Sequence, residues 1–364
     1  MNNIKEFIKR ETVFIIAAIL AIISMFLVSP SKEYLGYINY SVLTILFCLM
    51  AVVGGVQKIG VFHTLSAKIL SKTNNEKTIG IILVLVCFFI SMLVTNDVAL
   101  ITFVPFTIDI LRKDDDNLIF IIVMETIAAN LGSMMTPIGN PQNLFLYSYY
   151  NLNIIDFFKI MAPFGIISFI IIMAIMLCKK NNNLQVSIGQ EIVSIDKRKL
   201  IKYSGMFIIC LLTVLHIIHY LVCLVIIIII LVISDRNLFR NIDYILLLTF
   251  ICFFIFVGNM SSLPQIRIYV SEVLINKEIL VSAIISQGIS NVPAAIMLAS
   301  FTDKAEALLI GTNIGGLGTI IASMASLISY KYYACLDNSR KGKYLLIFSF
   351  INFVLLIIFL VFIV

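Results

Sequence analysis

Charged residues are scarce in this chain of 364 residues: Asp, Glu, Lys and Arg make up 13%, whereas hydrophobic residues make up 61%. The mean hydropathy is +1.07. A soluble domain does not carry so much apolar surface, so this composition excludes a soluble globular protein. It predicts an all-α polytopic membrane protein instead.

Tryptophan is absent, and the seven cysteines occur singly, at positions 48, 87, 178, 210, 223, 252 and 335. Without tryptophan, the interfacial aromatic belt would consist of tyrosines. Because no two cysteines have metal-binding or redox spacing, each is interpreted as a small hydrophobe. Membrane topology explains the net charge of +6, so no nucleic-acid partner is expected.

Motifs for energy conversion and for catalysis are also missing. The sequence has no Gly-x-x-x-x-Gly-Lys loop, which argues against ATP-driven transport by this chain alone. It has no Asp-Asp-x-x-Asp cluster, no His-Glu-x-x-His helix and no Ser/His pair within an apolar segment. We therefore predict that the protein is not an enzyme and holds no cofactor apart from a coupling ion.

Nine apolar segments are predicted to cross the membrane: residues 11–29, 38–57, 117–148, 156–178, 201–219, 221–234, 241–259, 304–331 and 344–364. The region 201–234 could instead form one bent segment. The first segment follows three basic residues, as in a signal peptide. It is long for a signal peptide and no Ala-x-Ala-like cleavage site follows it, so residues 1–35 are predicted to form a retained N-terminal transmembrane helix.

Two further apolar regions are interrupted by polar residues. Thr95-Asn96-Asp97 separates the stretches 79–94 and 98–111. Ser290-Asn291-Val292-Pro293 interrupts the second region, whose arms are 279–289 and 293–301. As helices, the first two stretches reach about 24 and 21 Å, short of a hydrocarbon core about 30 Å thick. We therefore predict two re-entrant helical hairpins, over residues 79–111 and 279–301.

Basic residues divide unevenly across this layout. With the N-terminus inside, 21 of the 26 lie on the cytoplasmic side and five outside, as the positive-inside rule expects. The division requires the first hairpin to open from the cytoplasm and the second from outside. This predicts an inverted repeat in the plasma membrane, with a cytoplasmic N-terminus.

The repeat also appears in two segments that begin Asn39-Tyr40 and Asp243-Tyr244, which are 204 residues apart. The predicted units are a first repeat over 36–178, a cytoplasmic linker over 179–200, connecting transmembrane helices over 201–240 and a second, inverted repeat over 241–364.

Each hairpin is followed by a crossing segment with an Asn-x-Gly break, at Asn130-Leu131-Gly132 and Asn313-Ile314-Gly315. Paired breaks in corresponding places of two halves indicate a transporter's binding site. Helix N-termini at the hairpin tips would attract an anion, and no basic residue falls in a tip or a break. Freed carbonyls and Asn, Ser and Thr oxygens are hard ligands suited to sodium.

In order and spacing these motifs resemble the ion transporter superfamily, which includes arsenite permeases, citrate transporters and divalent anion–sodium symporters. The resemblance covers about residues 36 to 364, and its motifs are Asn96-Asp97, Ser290 to Pro293, Asn130 to Asn143, and Gly311 to Thr319. It implies that two opposed hairpins and two unwound helices enclose substrate and ion. It also implies that one bundle moves as an elevator against a scaffold, and that a homodimer is one assembly to expect.

The candidate site combines these hypotheses. Residues assigned to a small anionic substrate are Thr95, Asn96, Ser290, Asn291, Thr136, Pro137, Asn140, Asn143 and Thr319. Residues assigned to ion coupling are Asn96, Asp97, Asn130, Gly132, Asn291, Asn313 and Gly315. If the ion is sodium, Asn96 and Asn130 build one ion site, and Asn291 and Asn313 the other.

Two carboxylates have alternative interpretations. Asp97 either couples to a cation or proton, or simply caps the return arm of its hairpin. Glu125 lies inside an apolar segment, where a carboxylate is by default functional, so it is a candidate to bind a proton or cation. It could instead pair with another group near the cytoplasmic interface.

The leading hypothesis is a secondary active permease for citrate, a dicarboxylate or an inorganic oxyanion, driven by sodium or protons. The alternatives are an arsenite efflux permease, a sodium/proton antiporter and a passive anion channel. The dicarboxylate symporters of the superfamily carry Ser-Asn-Thr at both tips, a pattern that neither tip here matches. In the alignment of the two breaks, residues 139–143 correspond to 323–327, so polar recognition is predicted to concentrate in the first repeat.

Overall fold

The computed structural model describes residues 11–70, 75–111, 115–179, 195–337 and 339–363. This part of the chain is built from helices and contains no strand. The α-helices are α1 Thr12–Leu27, α2 Tyr34–Tyr37, α3 Tyr40–Lys58, α4 Val61–Leu70, α5 Glu76–Leu93, α6 Asn96–Leu111, α7 Asp115–Ser133, α8 Pro141–Tyr149, α9 Ile154–Cys178, α10 Lys197–Val214, α11 Tyr220–Ser234, α12 Tyr244–Ser262, α13 Pro264–Leu274, α14 Glu278–Ile289, α15 Asn291–Ala299, α16 Ala305–Ile314, α17 Met324–Ala334 and α18 Lys341–Ile363. A 3₁₀-helix, Arg236–Asn241, joins α11 to α12.

Six of the described helices are long and apolar enough to cross a membrane: α3, α5, α9, α12, α18 and residues Asp116–Ser133 of α7. Many large apolar side chains also point outward, such as Phe350 at 68% and Ile233 at 79% exposed. The prediction of an all-α polytopic membrane protein is therefore confirmed. Most of the predicted linker, residues 180–194, lies outside the described residues.

The two interrupted regions each form a pair of helices joined by a very short turn. The first pair is α5 and α6, joined at Val94-Thr95, and the second is α14 and α15, joined at Ser290 alone. Asn96 and Asp97 therefore belong to the first helical turn of α6, and not to the two-residue connection between α5 and α6. With 18 residues, α5 lies within the range of about 17–25 residues that spans a bilayer, so by length this arm can span the membrane alone, contrary to the sequence expectation.

Both predicted unwound helices are interrupted where the glycines and prolines indicated. In the first, α7 ends at Ser133 and α8 begins at Pro141; in the second, α16 ends at Ile314 and α17 begins at Met324. Residues 201–234 form two helices, because the chain turns at His216, whose φ is +60°. The bent-segment alternative is wrong.

The helices outside these interrupted regions pack through small polar contacts. α1, α2 and α12 meet at Asn259, whose Nδ2 donates to Ser24 Oγ and to Tyr34 Oη, both at 2.9 Å.

The helices α3 and α12 begin alike: Asn39 accepts a hydrogen bond from Val42 N, and Asp243 accepts one from Leu246 N. This capping by Asx side chains recurs at the offset of 204 residues noted in the sequence.

Three cysteines meet where α3, α10 and α11 pack together. The Cys223 side chain lies within hydrogen-bonding reach of Cys48 and Cys210, and all three are free thiols. All three are buried in the core, as expected of small hydrophobes. Their convergence was not predicted, since residues 162 and 175 positions apart cannot be seen to converge from spacing alone.

A small ionic cluster fixes the start of α10 against the end of α11. Lys202 Nζ and Tyr203 Oη both donate to Asp235 Oδ2, the hydroxyl from 2.7 Å. Burial alone would raise the pKa of the Asp235 carboxyl, but these two hydrogen bonds hold that pKa below its ordinary value. A lowered pKa in the folded state means that the carboxylate stabilises the fold.

We expect Asp235→Asn to lower the thermal unfolding temperature of the detergent-solubilised protein at pH 7. The stabilisation is present above the unfolded-state pKa of about 3.9 and is lost as the pH falls through the lower folded-state value. The difference between wild type and variant should therefore shrink below about pH 4. The exposed Asp109→Asn serves as control, and an equal effect of both variants at pH 7 would contradict the assignment.

Candidate functional site

The turn of each helical pair docks onto a break of the interrupted helix that follows it. Asn96 N donates to the carbonyl of Gly139 at 3.0 Å, and Asn291 N donates to that of Ala322 at 2.9 Å. In both cases the donor is the first residue of the return helix. In both cases the acceptor lies in non-helical backbone, where its carbonyl has no helical partner.

A second contact holds each turn in place. Thr136 Oγ1 donates to the carbonyl of Met92 at 2.5 Å, and Thr319 Oγ1 donates to that of Gln287 at 2.8 Å. Met92 and Gln287, which correspond in the two helical pairs, are 195 positions apart. Thr136 and Thr319, which correspond in the two breaks, are 183 positions apart. Both threonines were predicted to contact substrate, but their hydroxyls are engaged in anchoring the turns.

Asn130, at the end of α7, is the centre of a buried polar cluster. Its Oδ1 accepts hydrogen bonds from Asn96 Nδ2 and from Ser323 Oγ, both at 3.0 Å. Its Nδ2 donates to Ser326 Oγ at 3.3 Å. The residue therefore joins the first helical pair to the beginning of α17 in the other half of the chain.

Asn313, at the end of α16, makes the corresponding contacts with α8. Its Oδ1 accepts from Asn140 Nδ2 at 3.0 Å, and its Nδ2 donates to Asn143 Oδ1 at 2.6 Å. Each interrupted helix thus presents an asparagine to the second segment of the other. We call these side chains, Asn96, Asn130, Asn140, Asn143, Asn313, Ser323 and Ser326, the asparagine cluster.

The cluster corrects the sequence alignment of the two breaks by one residue. Asn140 and Ser323 each precede the first residue of the second helical segment, so these two positions correspond and not Gly139 and Ser323. With the offset of 183, Asn143 corresponds to Ser326. An asymmetry remains at the start of the second helical segments, where Asn140 and Asn143 supply amides and Ser323 and Ser326 supply hydroxyls. That polar recognition concentrates in the first repeat stays a prediction.

The two predicted asparagine pairs do not form equally. Asn96 and Asn130 are hydrogen-bonded directly, whereas no hydrogen bond joins Asn291 to Asn313 among the described residues. Asn291 Oδ1 instead lies 3.4 Å from Ser290 Oγ. Its Nδ2 would be only 2.8 Å from a Cβ at Gly316, so its side chain faces the second break.

The side-chain amides of Gln287 and Asn143 donate hydrogen bonds to backbone carbonyls that have no helical partner at the breaks. The acceptors are Gly315 and Leu317, each 2.9 Å from Gln287 Nε2, and Met134 and Thr136, 3.2 and 3.1 Å from Asn143 Nδ2. Gln287 was missed, as were Ser323 and Ser326. A glutamine inside the apolar stretch 279–289 was the available signal for it.

Thr95, rather than Asp97, takes the capping position of α6. Its Oγ1 lies 3.5 Å from Val98 N, the position that an N-cap side chain occupies. Asp97 lies in the first turn and is partly buried, where its charge is favourable near the helix N-terminus. Capping alone therefore does not account for Asp97.

Glu125 is fully buried on α7 and stands apart from the asparagine cluster. Thr107 Oγ1, on α6, donates to Glu125 Oε1 at 2.6 Å. The alternative that Glu125 pairs near an interface does not describe this environment, since its exposed fraction is 0%.

The six asparagines of the site are almost completely shielded: Asn96 is 4% exposed, Asn130 6%, Asn140 1%, Asn143 0%, Asn291 4% and Asn313 3%. A cavity of about 30 Å³ lies against the first turn, between α3, Thr95 and Asn140. It is lined mainly by apolar side chains and holds at most about one water.

A larger cavity of about 470 Å³ lies between α3, α8, α12 and α15. Its lining includes Tyr37, Tyr149, Phe254 and Ser300, and none of the asparagines of the site. In the conformation described, this cavity therefore does not reach the asparagine cluster.

The described residues contain no group of three or more His, Cys, Asp or Glu side chains placed to hold a metal ion. A cation at the asparagine cluster would be bound by amide, hydroxyl and carbonyl oxygens. Such a donor set suits an alkali cation rather than a transition metal.

Sequence comparison finds relatives along nearly the whole chain. The uncharacterized transporter MJ0456 of Methanocaldococcus jannaschii is 32% identical over 90% of this chain and 90% of its own. The inner membrane protein YbiR of Escherichia coli is 29% identical over 88% and 86%. The silicon efflux transporter LSI3 of rice, Oryza sativa subsp. japonica, is 28% identical over 47% of this chain and 35% of its own.

These relatives and the apolar helices together define a multi-pass membrane protein of the transporter class. Residues 3–307 match the citrate transporter family. The chain belongs to that family, and its resemblance to the wider ion transporter superfamily is confirmed.

The tight packing of the breaks predicts a strong effect of Gly132→Ala. A Cβ at Gly132 would lie 2.2 Å from the carbonyl oxygen of Phe88. Because backbone must shift to make room, we expect a destabilisation of about 1–3 kcal/mol, measured as a lower unfolding temperature. Gly205→Ala is the matched control, since nothing lies within 4 Å of its Cβ. Equal stability of both variants would contradict the close packing.

Proposed function

We propose that this protein is a secondary active permease that carries a small anion, such as citrate, a dicarboxylate or an inorganic oxyanion, coupled to sodium or protons. The asparagine cluster, where the first return helix and both interrupted helices meet, is the observation that carries the proposal. The substrate would bind there and at the turns, using the predicted residues Thr95, Asn96, Pro137, Asn140, Asn143, Ser290 and Asn291.

The electrostatics of the cluster favour an anion. The N-termini of α6, α8, α15 and α17 all begin at the turns or breaks, and a helix N-terminus carries partial positive charge. Backbone and side-chain N–H groups then replace the basic residues that the sequence lacks there.

The paired contacts support an inverted repeat with two re-entrant hairpins. Asn96 and Asn291 make the same backbone hydrogen bond, and Thr136 and Thr319 make the same anchoring bond. In an elevator mechanism, the hairpins and interrupted helices would move together against the remaining helices. The shielded asparagines agree with such a mechanism, because access requires helices to move.

Sodium would bind close to Asn96 and Asn130, with Asn130 Oδ1, which accepts from Asn96 Nδ2 in this structure, as an oxygen ligand. The carbonyl of Gly132 is a further candidate beside Asn130, and Asn291, Asn313 and the carbonyl of Gly315 are the corresponding candidates in the other half. A carbonyl has two lone pairs, so Gly315 O can accept from Gln287 and still coordinate a cation.

The first alternative is an efflux permease for a small oxyacid such as arsenite, or a sodium/proton antiporter. Asp97 favours it, because a carboxylate beside the site opposes an anion unless a cation neutralises it. A relative named as a silicon efflux transporter points in the same direction. A passive anion channel is the second alternative, distinguished by its indifference to ion gradients.

A thermal-shift screen of the purified protein separates these functions. We expect citrate, succinate, sulfate, phosphate or arsenite to raise the unfolding temperature, since a ligand that binds only the folded state stabilises it. The shift should be larger with sodium than with potassium if sodium is the coupling ion. If none of the five anions stabilises the protein, small-anion binding is wrong.

Substitution at the turns tests the site in proteoliposomes. We expect Asn96→Ala and Asn291→Ala each to abolish gradient-driven uptake of the stabilising anion while the protein stays inserted and folded. The exposed Asn237→Ala should transport like wild type. Wild-type rates in either site variant would refute the assignment, and uptake insensitive to both sodium and proton gradients would favour a channel.

A further inference from the structure

Glu125 lies in an environment that does not suit a charged carboxylate. The residue is 0% exposed, and the hydroxyl of Thr107 donates to only one of its oxygens. The other oxygen, Oε2, has no hydrogen-bond partner among the described residues. An isolated buried carboxylate is strongly disfavoured, and such a group ordinarily takes up a proton.

The helices packed against α7 supply no compensating charge. Among the described residues, no Lys, Arg or His forms an ion pair with Glu125. Cys87 on α5 and Tyr344 on α18 are the titratable groups that interact with it. The helices packed against α7 carry other titratable groups. On α5 and α6 these are Glu76, which accepts from Asn117; Lys77, which donates to the carbonyl of Leu177; Asp97, in the first turn of α6; and the exposed Asp109. On α9, α16, α17 and α18, and directly after α9, they include Asp156, paired with Lys159; Lys179, over the Phe120 ring; Glu306, in the first turn of α16; Lys331, in the last turn of α17; Tyr330 and Tyr333, beside Tyr344; the exposed Lys341; and Lys343, paired with Asp116.

Glu125 also connects the parts that would have to move. It lies on the same helix as Asn130, five residues earlier. Its hydrogen-bond partner Thr107 belongs to α6, and Cys87, which interacts with it, belongs to α5, the other arm of the first helical pair. Ionisation would require a new counter-charge or water at Oε2, and therefore a different packing of α5 and α6 on α7. Through these contacts, protonation of Glu125 is linked to the position of the turn between α5 and α6.

We propose that Glu125 is the binding site for the coupling proton, separate from the anion site, and that it is protonated in the conformation described. This rests on the proposed function for its role in transport. The protonated carboxyl accepts from Thr107 at Oε1 and carries its proton on Oε2. Release of that proton to the opposite side of the membrane would accompany the repacking of the first helical pair.

Infrared spectroscopy of the purified protein in lipid tests the protonation without a substrate. We expect a protonated-carboxyl band at pH 7, where an ordinary Glu with a pKa of about 4.3 is ionised. The band should disappear in Glu125→Gln. It should remain in Glu278→Gln, since Glu278 is also buried but is paired with Lys304 at 3.4 Å.

Thr107→Val provides a second variant in case Glu125→Gln does not fold. Loss of the hydroxyl that donates to Oε1 should shift the band without removing it. If the wild type has no protonated-carboxyl band at pH 7 that responds to either substitution, the proposal is overturned.

Transport measurements then test the coupling. For any anion of the panel that wild type carries, one pH unit across the membrane can drive about tenfold accumulation per coupled proton. We expect Glu125→Gln to reduce this ratio to about one. Wild-type accumulation in the variant, or accumulation driven by sodium alone, would overturn the coupling role while leaving the permease intact. If no anion is carried, the proposed function fails and the infrared result still decides the proton site.

Discussion

Satisfaction of the exposed backbone at the helix ends is the constraint on which this structure depends. Each short turn leaves the first N–H groups of a return helix without partners, and each break leaves carbonyls without partners. Within a membrane protein no solvent replaces them, so each must meet the other. The bonds from Asn96 to Gly139 and from Asn291 to Ala322 do so directly. Each helical pair is consequently bonded to the interrupted helix that follows it, through backbone groups that have no partner within their own helix.

The asparagine cluster results from the same constraint at the level of side chains. An amide both donates and accepts, so one asparagine can bridge a turn and a break at once. Asn130 and Asn313 each reach across to the other half of the chain, which makes the halves interdependent. A cluster built in this way presents dipoles that are already oriented, with no Lys or Arg among its side chains.

The sequence predicted the parts of the fold that follow from local chemistry. Polar interruptions, Asn-x-Gly breaks and apolar length located the helical pairs and the interrupted helices, because each is a departure from a regular apolar helix. The contacts of Asn130 with Ser323 and Ser326 could not be predicted, since they join residues almost 200 positions apart. The roles of Gln287 and of the three converging cysteines also depend on helix packing, which no periodicity reports. The length of α5 was misjudged because its first turn begins with charged residues, Glu76 and Lys77, that were excluded from the apolar stretch.

The anchoring bonds of the two threonines have a consequence for how the halves can diverge. Thr136 and Thr319 bind the main-chain oxygens of residues 92 and 287, not their side chains. Any amino acid supplies that oxygen, so the identity of the acceptor residue is unconstrained by this bond. Position 92 holds methionine and position 287 glutamine, and the glutamine amide has taken up the carbonyls of the neighbouring break. Because the anchoring bond involves only the main chain, the side chain at position 287 can bind the neighbouring break while the bond keeps the geometry it has at position 92.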